Sequence, residues 1–156
     1  MLDLNKIVAI DVHTHAEVSC TQPHDDYRPE LDEAFARYFK SNKRPSMQET
    51  ADYYRSLKIA LVMFTIDSEH TVGKKRIPNI EVAECALKNS DILIAFASID
   101  PHKGRMGARE ARDLIENYGV KGFKFHPTVQ GFYPYDKMAY PLYEVIAEYN
   151  LPMLFH

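Results

Sequence analysis

The chain has 156 residues, enough for one domain with a sizeable core. It is 46% hydrophobic and 26% charged with a net charge of -3, a balance that argues against nucleic acid or a membrane surface as its main partner. No apolar run approaches the roughly 18 residues of a membrane span; Met1 to Lys6 does not read as a secretory signal, and Cys20 and Cys85, without a spacing motif, read as reduced thiols in the cytoplasm.

Short apolar, β-branched runs alternate with longer amphipathic stretches, the pattern of βαβ units on a parallel sheet. The first strand is expected over Ile7 to Val12. An irregular stretch from Ala16 to Pro45 follows, in which Leu31, Phe35 and Phe39 recur every four residues and predict a helix over Pro29 to Lys40. Ser46 and Glu49 have capping-box spacing and open a helix that runs to about Leu57. A second strand, Ile59 to Thr65, leads through a polar loop to a helix from Asn79 to about Lys88. The third strand is Ile92 to Ser98, and the loop Ile99 to Gly107 leads to a helix ending near Tyr118, with Gly119 placed to close it in a left-handed conformation. The fourth strand is Val120 to Phe125, the next helix about Met138 to Tyr149, and the fifth strand Pro152 to His156.

Five strands and four crossovers recur roughly every 30 residues apart from the insertion after the first strand, as repeated βα units do. The fold expected is α/β: about five strands from the N-terminal part of a TIM (β/α)8 barrel, a single domain cut short at His156. A closed barrel of ~250 residues would need roughly three more units. With bare edges on its first and fifth strands, the chain by itself is expected to be marginal and to dimerise or aggregate through them.

His13 and His15 sit where the first strand ends, and alternation sends both to one side, close enough to share a cation. On this reading Asp11, Ala9 and Ile7 line the same inner face, while Val12, Ile10 and Val8 face the helices. Two surface histidines are the plain alternative; the carboxyl end of a barrel strand, where active sites gather, favours ligation. His156 closes the fifth strand in the position of a third ligand. Three nitrogen or oxygen ligands plus water is the usual pattern of a catalytic zinc site, so zinc is the expected cofactor.

Lys124 and His126 share the inward face of the fourth strand with Gly122, while Phe123 and Phe125 point to the helix layer. Lys124 is a candidate to orient a substrate carboxylate or, carboxylated, to bridge two metals; otherwise it reaches solvent at the rim, with His126 bonded to a neighbouring loop. Lys103, Arg105 and Arg109 after the third strand, and Lys74, Lys75 and Arg76 after the second, form either a cationic ring for a small anionic substrate or ordinary solvated loop charge. Tyr133 and Tyr135 wall the pocket or pack their own loop.

The runs Ile10-Asp11-Val12-His13-Thr14-His15, Phe96-Ala97-Ser98-Ile99-Asp100-Pro101 and Gly119-Val120-Lys121-Gly122-Phe123-Lys124-Phe125-His126-Pro127, in this order and with the closing strand at His156, resemble the amidohydrolase superfamily. More narrowly, they resemble its amidohydrolase-2 branch, which includes aminocarboxymuconate-semialdehyde decarboxylase-like enzymes. The resemblance covers the whole chain, least clearly at Ala16 to Pro45. It implies that His13, His15 and His156 are metal ligands. The family also uses a histidine after the sixth strand and an aspartate after the eighth, so no residue of this chain is assigned the role of general base. The implied activity is hydrolysis, with water activated by a divalent cation attacking a carbonyl-type carbon of a small carboxylated substrate. Decarboxylation on the same metal cradle is the alternative within the fold, and a non-catalytic half-barrel the alternative outside it.

Overall fold

The computed structural model describes residues 2–22, 33–34, 36–38, 40, 44–73 and 75–156. Of the helix expected over Pro29 to Lys40, residues 33–34 and 36–38 are helical, while Leu31, Phe35 and Phe39, like Lys74 in the second loop, lie outside the described residues.

Strand β1 (Ala9–His15) pairs in parallel with β2 (Ile59–Phe64), and β2 with β3 (Leu93–Ala95). Strand β4 (Phe123–Phe125) pairs in parallel with β5 (Met153–Phe155). A bridge between Ala97 and Phe123 joins the two groups, with the Ala97 N–H donating to the Gly122 carbonyl at 2.9 Å and the Lys124 N–H to the Ala97 carbonyl at 2.7 Å. The strands therefore follow one another in chain order, all parallel, with helical crossovers between them as sequence rhythm predicts.

Helix α1 (Met47–Leu57) opens with the expected capping box: Ser46 accepts the Glu49 N–H, and the Glu49 carboxylate accepts the Ser46 N–H at 2.9 Å. After β2 comes a single turn, α2 (Glu69–Val72), that the polar loop did not announce. Helix α3 (Asn79–Lys88) matches its expected bounds. Asp100 caps a short 3-10 turn, Pro101–Lys103, from which α4 (Gly104–Tyr118) continues, four residues earlier than the sequence indicated. Gly119, at φ 67°, ends α4 in the left-handed conformation anticipated for it. A further unannounced turn, α5 (Pro127–Gln130), follows β4, and a 3-10 turn at Lys137–Ala139 precedes α6 (Tyr140–Glu148).

Register divides the sheet into two faces. Leu61, Met63, Leu93, Ala95, Ala97, Phe123 and Phe125 face the helices and pack with Met47, Ala51, Val82, Leu114, Leu142 and Ile146 in one core. Each buried Leu, Met or Phe contributes roughly 1.5–3 kcal/mol, so this layer carries most of the cohesion. Ala60, Val62 and Phe64 stand on the opposite, inward face.

On β1 this assignment corrects the expectation from simple alternation. Asp11 pairs with Leu61 but Thr14 with Met63, so two residues of β1 stand against one of β2: a β-bulge. Upstream of it, Ala9 and Asp11 are in register with Ile59 and Leu61 on the helix side, and Ile7 packs on the helix-side core. Val8 and Ile10 take the inward face and are exposed, at 72% and 45%. Downstream, Thr14 is on the helix side and His15 pairs with the inward Phe64. The histidines thus stay inward while Asp11 does not share their face.

Candidate metal centre

The carboxyl ends of β1, β2, β4 and β5 converge on one group of side chains. His13 and His15 meet at 3.2 Å between their Nε2 atoms, with ring centroids 5.2 Å apart. Phe64, at the end of β2, stands edge-on to both rings at 5.4 and 4.9 Å. His156 follows β5, 5.5 Å from the His13 ring and stacked at 4.0 Å on His126. Lys124, fully buried on β4, holds its Nζ 5.2 Å above the Phe64 ring. The structure therefore gathers His13, His15, Lys124, His126 and His156, five residues from three strands, as sequence position led one to expect.

Their electrostatics are those of crowded, partly desolvated bases. Burial, helped by the charges of His13, Lys124, His126 and His156, pulls the His15 pKa down to about 4. Burial also lowers the pKa of His13 and of His126, with Lys124 and His156 adding repulsion, and burial lowers that of Lys124. Neutral imidazole is the form that ligates metal. Two buried nitrogens, Nζ of Lys124 and Nδ1 of His126, have no hydrogen-bond partner among the described residues. An orphaned buried nitrogen is costly unless something meets it.

These features fit a divalent cation with an anionic ligand beside it. Among the described residues no three His, Cys, Asp or Glu side chains are yet arranged to enclose an ion; His13 and His15 are the part of the set that already converges.

Other expected residues fall elsewhere. Asp11 is turned to α1, where its carboxylate accepts the Tyr54 hydroxyl at 2.6 Å and the His13 N–H at 2.9 Å. Those two hydrogen bonds hold its pKa low. The proposed ring of cations is largely occupied internally. Asp67, fully buried just past β2, pairs with Arg76 and Lys103, each at 2.6 Å, and Arg76 also binds Glu110. Arg105 is exposed on the first turn of α4, where it lines a groove with Ala108, Arg109, Arg112 and Val145 and is not brought to the histidines. Tyr133 and Tyr135 stack on each other at 5.4 Å, largely exposed, and pack the loop rather than the cluster. Sequence reading overlooked Phe64 as the aromatic partner of the histidines. It also overlooked Gln130, whose amide accepts the His126 N–H at 2.7 Å and donates to the Asp67 carbonyl at 2.9 Å. The His-Pro start of a helical turn, with an amide four residues on, was the available signal.

The amidohydrolase family model, Amidohydro_2, matches residues 10–156. The chain belongs to the amidohydrolase family. Among curated proteins no significant match is found. Three solved structures show how this amidohydrolase chain resembles others. The 5-carboxyvanillate decarboxylase of Sphingomonas paucimobilis is 18% identical with a TM-score of 0.65, over 94% of this chain and 51% of that one. The 4-oxalomesaconate hydratase of Rhodopseudomonas palustris is 18% identical with a TM-score of 0.57, over 94% and 51%. The 5-carboxyvanillate decarboxylase of Novosphingobium aromaticivorans, solved with manganese and 4-hydroxy-3-methoxy-5-nitrobenzoic acid, is 15% identical with a TM-score of 0.59, over 97% and 49%. The amidohydrolase chain spans about half the length of these structures, and its parallel α/β fold corresponds to part of a TIM barrel. Among the described residues no helix is long and apolar enough to cross a membrane.

Proposed function

We propose that the chain carries part of a divalent-cation site that hydrolyses a small carboxylated substrate, with His13, His15 and His156 as metal ligands. The observation that carries this is the convergence of His13 and His15, whose pKa values are both lowered, beside the buried, unpartnered Lys124. When bound, the cation supplies Lewis acidity, polarising a carbonyl or carboxylate and making water a stronger acid.

The protein's own residues do the rest of the binding. Lys124 lies on an apolar floor formed by Phe64, so a carboxylate reaching its Nζ is held in a poorly hydrated place where the ion pair is strong. His126 offers Nδ1 to the same substrate as a hydrogen-bond donor or acceptor, its backbone fixed by Gln130. Phe64 and the His126–His156 stack present flat surfaces that suit a planar, conjugated acid. Arg105, far along the groove between α4 and α6, would meet only a substrate that extends beyond this cluster.

Decarboxylation is the second reading. It is supported by the likeness to two 5-carboxyvanillate decarboxylases, one of them holding manganese and a nitrobenzoic acid. Zinc suits a set of imidazole ligands, whereas manganese is what that solved relative contains.

Elemental analysis of the purified protein tests the site: about one equivalent of zinc or manganese is expected, lost when His13 and His15 are both replaced by Ala. Unchanged metal content in the double variant would overturn the assignment. Lys124→Met should retain the metal but weaken binding of a benzoate-type acid by about tenfold. For an active preparation, turnover in oxygen-18 water separates the reactions, because only hydrolysis places solvent oxygen in the product.

A further inference from the structure

The segment leaving β1 is held by one carboxylate. Glu81, buried on α3, accepts the Ser19 hydroxyl at 2.9 Å, the Cys20 N–H at 2.8 Å and the Thr21 hydroxyl. Ser19 Oγ in turn accepts the N–H groups of Thr21 at 3.2 Å and Gln22 at 2.8 Å. Cys20 is thereby fixed against α3. Cys85 lies four residues after Glu81 on that helix, one turn along and on the same face. The chain has two cysteines in 156 residues, 65 positions apart, and the fold ties the backbone of the first to the helix that carries the second. Both are free thiols; Cys20 is exposed, while Cys85 is half-buried with its Sγ 3.7 Å from the Asn89 amide nitrogen. Burial raises the Cys85 pKa, and the charge of Cys20 adds to the rise.

We propose that Cys20 and Cys85 are a redox-modification site, closing on oxidation into a reversible intramolecular disulfide that staples the segment after His15 to α3. Cys20 sits on a loop, so its sulfur can reach bonding distance without displacing a packed helix. With hydrogen peroxide as oxidant, the exposed Cys20 thiolate attacks one peroxide oxygen. The O–O bond breaks, the departing oxygen leaves as water after protonation, and Cys20 becomes a sulfenic acid. The Cys85 thiolate then attacks that sulfur; the S–S bond forms as the S–O bond breaks, and the second oxygen leaves as water. Two thiols and one peroxide give one disulfide and two waters. A thiol reductant reverses the process by exchange. The inference does not depend on the metal assignment.

The test treats the full chain with hydrogen peroxide, quenches with acid, alkylates under denaturing conditions and measures the intact mass and the peptide map. The expected result is a monomer lighter by two hydrogens, closed to alkylation, with one peptide joining Cys20 to Cys85 and both thiols restored by dithiothreitol. Cys85→Ser should leave Cys20 as a sulfenic acid that a dimedone probe captures. Replacing Ser19 by Ala and Thr21 by Val loosens the Glu81 clamp and should slow bridging several-fold with the helix intact. Oxidation of Cys20 to sulfinic acid, or bridging between chains while Cys85 still alkylates, would overturn the proposal. So would intramolecular bridging that is as fast in urea as in the folded protein.

Discussion

At Gly122 the chain has no room for a β-carbon. A Cβ built there would lie 2.4–2.6 Å from three atoms of the Phe96 ring. Gly122→Ala must push that ring aside, and overpacking of this kind costs about 1–3 kcal/mol. Urea denaturation should show the loss, and Phe96→Leu in the same chain should recover part of it. A cost that Phe96→Leu does not relieve would mean that the ring is not what excludes the methyl group.

Among the elements, the loops after β2 and β3 are tied through Asp67. It is fully buried, pairs with Arg76 and Lys103 and accepts the Asp100 N–H at 2.9 Å. Asp67→Ala leaves Lys103 without its carboxylate and Arg76 with Glu110 alone, so it should lower the unfolding free energy by about 2–3 kcal/mol. The measurement is the urea midpoint, read together with an unchanged slope. A shift below 1 kcal/mol would show that solvent screens these pairs. This network also marks where sequence reading stops. The alternation of Gly122, Lys124 and His126 against Phe123 and Phe125 was legible because β4 is regular. The capping box of α1 and the Gly119 terminus were legible because their signals are local. Arg76 and Lys103 looked available to a substrate because nothing local pairs them: Glu110 is 34 positions from Arg76, Asp67 is 36 from Lys103, and even the Asp67–Arg76 pair spans nine positions of irregular loop and a short turn. The inner and outer faces of β1 were exchanged upstream of His13 because a period of two cannot see an inserted residue.

On the scale of the molecule, the sheet leaves aliphatic surface open. Val8, Ile10 and Val12 on β1 are 72%, 45% and 54% exposed, and Phe155 of β5 is 37% exposed. Exposed apolar surface on a folded protein attracts other apolar surfaces. The purified chain is therefore expected to bind the dye ANS and to show concentration-dependent light scattering. Replacing Val8 and Ile10 with Thr should reduce both signals without changing metal content, since neither residue touches the histidine cluster. Dye binding that survives the double replacement would place the sticky surface elsewhere.

The bulge in β1 has one more consequence. Because it takes up a single surplus residue between Asp11 and Thr14, the strand on its amino-terminal side and the histidine pair on its other side are set independently. It works as a length buffer: excising Val12 would return the strand to plain alternation with Asp11 still toward Tyr54 and both histidines still inward. Genetic drift can therefore lengthen or shorten the approach to the site by one codon at this point and leave the site's aim unaltered.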